Sequence, residues 1–350
     1  MTHRIMLPSY MVYLEDVHAL KQHINQGFSK TVIVADENTI VHCSPLFMEW
    51  VQQVIPIIVI PAGEEYKTLN TASFIWEKMM TAGMDRHSLM INLGGGVIGD
   101  LGGWAASAYM RGIRFIQIPT TLLSMVDSSI GGKLGIDFYG YKNLIGAIQD
   151  PLAGFVFTRF LKKLSQDQIK SGFAEMLKHG LICDAPHFKD LTEGSWFDSA
   201  IQLHNIYRSI EIKKEVVTAD PYEKNVRKIL NFGHTIGHAI ERYYLTTGSP
   251  LLHGEAIATG MVVETMISQR LGRLSQKECD AIIHALVTIY GNHPEHIPPM
   301  GVLMEGMQMD KKNKGGKVCF SLLQSIGQAV YDVEVPEEII KDATRTYMSL

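Results

Sequence analysis

The sequence predicts two domains: an α/β half built on a parallel sheet, then an all-α half. Three observations carry this. Short β-branched runs alternate with amphipathic stretches through residue 150. A glycine-rich turn, GGGVIGD at 94–100, directly follows one of those runs. After Asp150–Pro151 the strand texture stops and long segments with helical spacing take over. Strands separated by helices are most simply joined in parallel, because each crossover helix covers one face of the sheet.

In order, TVIVAD (31–36) and PIIVIPAG (56–63) are apolar runs closed by polar or glycine residues, as doubly buried strands are. LMINL (89–93) runs straight into the triple glycine, and RFIQIP (114–119) ends at Pro119. Between them TLNTASFIWEKMMTAGM has helical spacing and a glycine stop at Gly83. Beyond Pro151, the stretches 160–182, 201–220, 226–245 and 254–272 read as helices, with loops expected at 183–199 and 246–253. The expected domains are residues 1–151, a Rossmann-like nucleotide-binding α/β domain, and residues 152–350, an α-helical domain.

Composition excludes several function classes. With 46% hydrophobic and 19% charged residues, the chain can bury a sizeable core and is not disordered. A formal net charge of −4 provides no global field for nucleic acid or an acidic membrane surface, so an anionic substrate must be held by local Lys and Arg. The four cysteines (43, 183, 279, 319) form no CxxC pair, which fits a reducing compartment. The start, MTHRIMLPSYMVYLEDV, lacks the apolar core of a leader, and no apolar run approaches the ~18–20 residues of a membrane span. A cytoplasmic enzyme without nucleic-acid or membrane partners is expected.

Gly94, Gly96 and Gly99 satisfy G-x-G-x-x-G between a strand and a helix, a turn that lets backbone approach a pyrophosphate. Tight helix–sheet packing without a ligand is the competing explanation. The acidic ribose ligand ordinarily found ~20 residues downstream would fall in RFIQIP, which holds no acid. The carboxylate candidate is instead Asp36, with Asn38 beside it. GEEYK (63–67) and Thr120–Thr121 also stand at strand C-terminal ends, where ligands of open α/β sheets gather.

Glu175, His234 and His253 offer a carboxylate and two imidazoles, the ligand set of a catalytic divalent metal with one position open. A structural zinc site would more often use thiolates, and no cysteine lies near. His234 and His238 are four apart and share a helix face, so that pair is an alternative ligand set. Spacing leaves both open. Metal plus dinucleotide points to chemistry on an alcohol.

Basic and amide residues stand in otherwise apolar text at Arg111, Lys133, Lys142–Asn143, Lys178, Lys213, Arg227, Asn231 and Lys311–Lys312. A solvated face is the ordinary explanation for any one lysine. In MVDSSIGGKLGIDFYGYKNLIG, however, apolar residues closely bracket Asp127, Ser128, Ser129 and Lys133. That context predicts a buried lysine needing an anionic partner, such as a phosphate or carboxylate.

The ordered motifs GEEYKTL, GGGVIGDLGG, FIQIPTTLL, VDSSIGGK, KNLIGA, SGFAEMLKHG, VRKILNFGHTIGHAIE, HGEAIATGM and DKK resemble the 3-dehydroquinate synthase family of sugar phosphate cyclases. They run over nearly the whole chain. The resemblance implies a fold similar to that of glycerol dehydrogenases and a homodimer. It implies zinc or cobalt on Glu175, His234 and His253, with His238 a neighbour of the substrate. NAD contacts would come from Asp36, Asn38, Gly63, Glu64, Lys67, Gly96, Val97, Ile98, Gly99, Asp100, Thr120 and Thr121, and from Phe160, Leu161, Lys162 and Lys163. Lys133, Lys142 and Asn143 would lie where cofactor and substrate meet. Arg111, reaching across the dimer, would hold the phosphate with Lys133, Asn143, His238 and Lys311 or Lys312. Lys213, Arg227 and Asn231 would hold the carboxylate, and Asp127, Lys178 and Glu223 the reacting hydroxyls.

The implied reaction belongs to the shikimate pathway and is a phosphate-eliminating lyase reaction. NAD transiently oxidises a ring hydroxyl of 3-deoxy-D-arabino-heptulosonate 7-phosphate, phosphate leaves, the hydride returns, and ring opening with aldol closure gives 3-dehydroquinate. The chain departs from the family pattern in three places. Lys163, Ser165 and Gln168 replace the usual Thr, Pro and Glu. Tyr141 and Asn225 stand where glycine is common, and Asn225 is expected to tolerate a left-handed turn.

Overall fold

The apolar runs of the first half become strands of one sheet in a computed structural model, which describes residues 3–139, 141–249, 251–308 and 318–350. The first unit, Met1–Ser165, holds β1 (His3–Met6), β2 (Met11–Leu14), α1 (Val17–Ile24), β3 (Thr31–Asp36), α2 (Glu37–His42), α3 (Ser44–Val51) and β4 (Ile57–Ile60). It continues with α4 (Leu69–Thr81), β5 (Leu89–Gly94), α5 (Gly96–Ala108), β6 (Arg114–Pro119), β7 (Lys133–Phe138), β8 (Tyr141–Ile148) and β9 (Ala153–Val156). Seven strands lie in the order β1-β2-β9-β6-β5-β3-β4, all parallel except the β1–β2 pair.

β5 is buried at every residue, which is why it reads as an unbroken apolar run rather than an alternating one. Ile98, Leu101, Ala105 and Ala106 of α5 join Val32, Val34, Met90 and Phe115 in the core beneath. From β3 the chain steps to β4 on one side and then to β5 on the other. The order therefore reverses between β3 and β5, and ligands of open sheets bind at the carboxyl ends of strands at such a point. β7 and β8 form a separate antiparallel hairpin. Because β9 pairs with β2 and β6, the first unit runs on to Ser165, past the limit at residue 151 read from the sequence.

The second unit, Gln166–Leu350, holds α6 (Gln166–Cys183), α7 (Ala185–Thr192), α8 (Trp196–Ile201), α9 (Leu203–Ala219), α10 (His234–Thr247), α11 (His253–Arg270), α12 (Gln276–Tyr290) and α13 (Met300–Gln308). An antiparallel hairpin, β10 (Cys319–Ser325) with β11 (Gln328–Glu334), precedes α14 (Glu337–Met348). α11 is the centre of this unit, buried from Ala256 to Ser268 and packed against α6, α10, α12 and α14. Two glycines permit that packing. A Cβ on Gly254 would lie 2.3 Å from Ser171 Cα of α6, and one on Gly260 would lie 2.0 Å from the Gly233 carbonyl oxygen.

Two local expectations change. The span 183–199, read as a loop, contains α7 and most of α8, because Asp184 and Ser195 cap short helices there. The helical reading also lacked the β10–β11 hairpin, whose first strand is buried from Cys319 to Leu323 and so shows no alternation. No helix among the described residues is long and apolar enough to cross a membrane.

Candidate active site

In the second unit Glu175 lies in the middle of α6 and is fully buried. Neither carboxylate oxygen has a hydrogen bond, although the Lys178 ammonium, one turn on, forms an ion pair with it. The Nε2 atoms of His234 and His253 each lie 3.4 Å from the same oxygen, Glu175 Oε1. Donors held ~2.0–2.1 Å from a tetrahedral ion stand about 3.4 Å apart, so this spacing fits a divalent metal. Glu175, His234 and His253 together keep one ligand atom each within 4.8 Å of one another.

The other ring nitrogen of each imidazole is occupied. His234 Nδ1 is 3.0 Å from the Phe232 carbonyl oxygen, which can only accept, so the proton sits on Nδ1 and Nε2 keeps its lone pair. His253 Nδ1 faces Glu241 Oε2 at 3.6 Å. The first turn of α10 is fixed from α11: Glu264 accepts from the Gly233 N–H at 2.6 Å and the Ile236 N–H at 3.1 Å. The Gly254 N–H donates to Ser171 Oγ of α6 at 2.9 Å, setting the start of α11. Three helices are thereby locked where Glu175, His234 and His253 meet.

His238, Glu241 and His253 form a second, overlapping group of possible donors. Glu175 distinguishes the two sets geometrically. Both His234 Nε2 and His253 Nε2 converge on one oxygen of the fully buried Glu175 carboxylate at 3.4 Å, whereas Glu241 stands 3.6 Å from the other nitrogen of His253. His238 stands beside His234, with the ring centroids 5.0 Å apart.

The charges act on one another strongly. Burial alone would raise the Glu175 carboxyl, but the Lys178 ammonium and then the His234 imidazole outweigh it and hold it well below the usual range. Burial, followed by Lys178, pushes His234 down to about 4. For His253 burial acts downward, but the Glu175 and Glu241 carboxylates prevail and raise it to about 9.

The residues expected to hold a carboxylate all lie in the same unit. Lys213 and Arg227 are buried, and Arg227 Nη1 donates to the Pro221 carbonyl oxygen at 2.6 Å. Asn231 Nδ2 donates to Glu223 Oε1 at 2.7 Å. Asp220 shapes this loop by accepting the N–H groups of Lys224, Asn225 and Arg227. The left-handed residue of the loop is Glu223 (φ 55). Asn225 has φ −136, so the left-handed turn expected there does not exist. Lys228, in the turn carrying Arg227 and Asn231, pairs with Asp332 of β11 at 2.8 Å. Lys311 and Lys312 lie outside the described residues.

In the first unit the expected cofactor contacts gather at strand carboxyl ends. α5 begins at Gly96 after Gly95 with no side-chain cap, leaving the N–H groups of Gly96, Val97 and Ile98 suited to an outside acceptor such as a pyrophosphate. The Thr120 N–H donates to the Gly94 carbonyl oxygen at 2.9 Å, tying β6 to the glycine turn, and Thr121 bonds Ser124. Buried Lys67 pairs with Asp100 at 2.6 Å and lies 4.0 Å from Glu64, which in turn is 3.5 Å from Lys142. Gly63 takes φ +130 at the head of that turn. One oxygen of Asp36 caps α2 through the Asn38 and Thr39 N–H groups. Phe160 and Leu161 turn their side chains into the core, while Lys162 and Lys163 are exposed.

Lys133 requires a correction. It is exposed, not buried, because alternation along β7 sends Leu134 and Ile136 inward and the first residue out. Arg111 and Asn143 are also exposed and left-handed, at φ 70 and φ 50. Asp127 is half-buried in a single π-helical turn, Ser124–Ser128. Sequence reading missed Glu241 and Glu264. Glu241 was within reach, since it falls seven residues after His234 and so on the same helix face. Glu264 acts on a different helix, and no spacing rule points to it.

An α/β unit with an uncapped glycine turn, followed along the chain by a helical unit carrying a carboxylate and two imidazoles, is the organisation of the sugar phosphate cyclases. A 2-deoxy-scyllo-inosose synthase with carbaglucose-6-phosphate, NAD+ and Co2+ superimposes with a TM-score of 0.84 at 27% identity, covering 99% of both chains. A 2-epi-5-epi-valiolone synthase from Streptomyces hygroscopicus with NAD+ and Zn2+ gives 0.84 at 25% identity, covering 99% of this chain and 98% of that one. A probable glycerol dehydrogenase from Sinorhizobium meliloti shares the fold, with a TM-score of 0.66 at 12% identity over 99% of this chain and 98% of that one.

Residues 57–171 match the model of the 3-dehydroquinate synthase N-terminal domain and residues 172–313 that of its C-terminal domain. The 3-dehydroquinate synthase of Parabacteroides distasonis is 37% identical over 91% of this chain and 92% of that one. The Thermoanaerobacter pseudethanolicus enzyme of that name is 39% identical over 92% and 91%. The chain belongs to the 3-dehydroquinate synthase family.

Proposed function

We propose that this chain converts 3-deoxy-D-arabino-heptulosonate 7-phosphate to 3-dehydroquinate and phosphate, with Glu175, His234 and His253 holding a divalent metal. The observation that carries the metal assignment is the pair of imidazole Nε2 atoms 3.4 Å from one buried carboxylate oxygen. Zinc and cobalt both suit this donor set, and the two cyclase neighbours were solved with Zn2+ or Co2+ beside NAD+. The first unit takes NAD through the turn at Gly63–Lys67, the Gly96–Asp100 start of α5, Asp36, Asn38, Thr120, Thr121, Lys142 and the 160–163 turn.

When bound, the metal supplies Lewis acidity at a substrate oxygen and NAD takes up and returns one hydride. The protein's own groups bind, orient and move protons. Arg227, held by the Pro221 carbonyl, and Lys213 and Asn231 orient the substrate carboxylate. Asp127, Lys178 and Glu223 engage the hydroxyls whose protons move. Arg111, Lys133, Asn143, His238 and Lys311 or Lys312 are the groups assigned to the phosphate, whose charge they would compensate as it leaves. The enzyme is a cytoplasmic homodimer in this reading, with Arg111 reaching the partner copy. None of its four cysteines forms a disulfide, in keeping with a reducing compartment.

A coupled phosphate-release assay tests this. Expected are phosphate from the heptulosonate phosphate, no net NADH, loss of activity with a chelator and return with zinc or cobalt. Release from glucose 6-phosphate instead would move the chain to the inosose synthases, and stoichiometric NADH would make it a dehydrogenase. Light scattering should give about twice the 39.1 kDa chain mass.

A further inference from the structure

The β7–β8 ladder pairs Ile136 with Ile145 and then Phe138 with Tyr141. Asp137 alone therefore faces Lys142, Asn143 and Leu144, a bulge with two extra residues on β8. A bulge takes backbone groups off the ladder, and those groups need other partners. Asp137 supplies one: its Oδ1 accepts the Asn143 N–H at 2.8 Å. Asn143 is left-handed there, at φ 50, a conformation that Asn tolerates better than other residues with a Cβ and that fixes the turn of the bulge.

The same residue reaches a second segment. The Asp137 backbone N–H donates to the Lys67 carbonyl oxygen at 2.8 Å. Lys67 pairs with Asp100, and Lys142 lies 3.5 Å from Glu64 in the same turn. Asp137 thus bonds both to the bulge and to the turn after β4.

We infer that Asp137 is a positioning residue, holding the β8 bulge so that Lys142 and Asn143 are presented together, in register with the Glu64–Lys67 turn. The inference rests on the proposed roles of Lys142 and Asn143 at the meeting of cofactor and substrate. Bulges beside active sites commonly re-aim side chains in this way. The requirement is for an acceptor at Oδ1 rather than for charge, so Asn should serve where Ala cannot.

The test uses the full-length, metal-loaded enzyme and the variants D137A, D137N, N143A and D137A/N143A. Measured are KM and kcat for the heptulosonate phosphate, the NAD dissociation constant and metal content. D137A should raise KM and the NAD dissociation constant about tenfold with metal content unchanged. D137N should retain most of the wild-type affinity, and the double variant should be about as impaired as D137A, since loss of the Asp137 acceptor already misplaces Asn143. A fall in kcat at constant KM and NAD affinity, or D137N as impaired as D137A, would overturn the inference. If N143A binds both ligands normally, the role given to Asn143 fails and the inference with it. If N143A is impaired while D137A is normal, only the role of Asp137 fails.

Discussion

Replacing Gly260 with alanine probes how the proposed metal ligands are held. Its Cβ would lie 2.0 Å from the Gly233 carbonyl oxygen and 2.8 Å from the Gly237 nitrogen. Ordinary contact begins at 3.4 Å, so 3.4 − 2.0 = 1.4 Å must be found between α10 and α11. Both opposing atoms are backbone, and no rotamer change relieves the clash. Gly233 immediately precedes His234, and His253 begins α11, so the displacement falls on the spacing of two proposed ligands. A site of this kind tolerates shifts of only about 0.5 Å. Overpacking of this type costs about 1–3 kcal/mol, which lowers Tm by several degrees without unfolding the chain. Metal affinity should fall further, by at least about tenfold to a hundredfold. Cobalt titration followed by visible absorption measures it, with G301A as control because nothing lies within 4 Å of its added Cβ. Wild-type cobalt affinity in G260A would refute the idea that helix spacing sets the ligand geometry.

Three further outcomes are expected. H234A and E175A should lose bound metal by elemental analysis, whereas H238A should keep it; metal loss in H238A would favour the overlapping donor set. K178A leaves the buried Glu175 carboxylate without its ammonium, so the chelator-treated variant should melt well below wild type, by the equivalent of about 3–5 kcal/mol, and zinc should recover more stability in it than in wild type. Buried His187, 2.9 Å from Ser209 Oγ, is pushed from 6.5 down to about 4 by burial and then by His179. The unfolded chain therefore takes up this proton first. Stability is full above pH 6.5 and is lost as pH falls toward 4, by roughly 3 kcal/mol, and denaturant melts of H187F should lack that part of the slope.

Much of the sheet was legible because buried parallel strands leave a strong signal. TVIVAD and RFIQIP coincide with β3 and β6 residue for residue, and the glycine run falls at the β5–α5 turn. β1 and β2 have only four residues each, too few to stand out from surrounding loop. Lys133 was misread because bracketing apolar residues imply burial only where the local period is unknown; in a strand, neighbours point to opposite faces. Asp137 was invisible for a related reason. Its role depends on a register shift in the ladder, and register is a property of two strands together.

The choice between His234 and His238 shows where sequence reasoning stops. Both lie on one face of α10, four residues apart, and both are flanked by glycine. What directs His234 is the group at the far side of its ring. His234 Nδ1 meets a backbone carbonyl, a feature every residue carries and no sequence can mark. That contact fixes the tautomer and leaves Nε2 directed at Glu175. Glu175 itself stands in a helix buried on nearly every side, where a carboxylate without hydrogen bonds costs several kcal/mol. Lys178 offsets part of that cost with a single charge. A divalent ion bound by Glu175 and two neutral imidazoles would offset more, so ligand binding and folding free energy are coupled at this carboxylate.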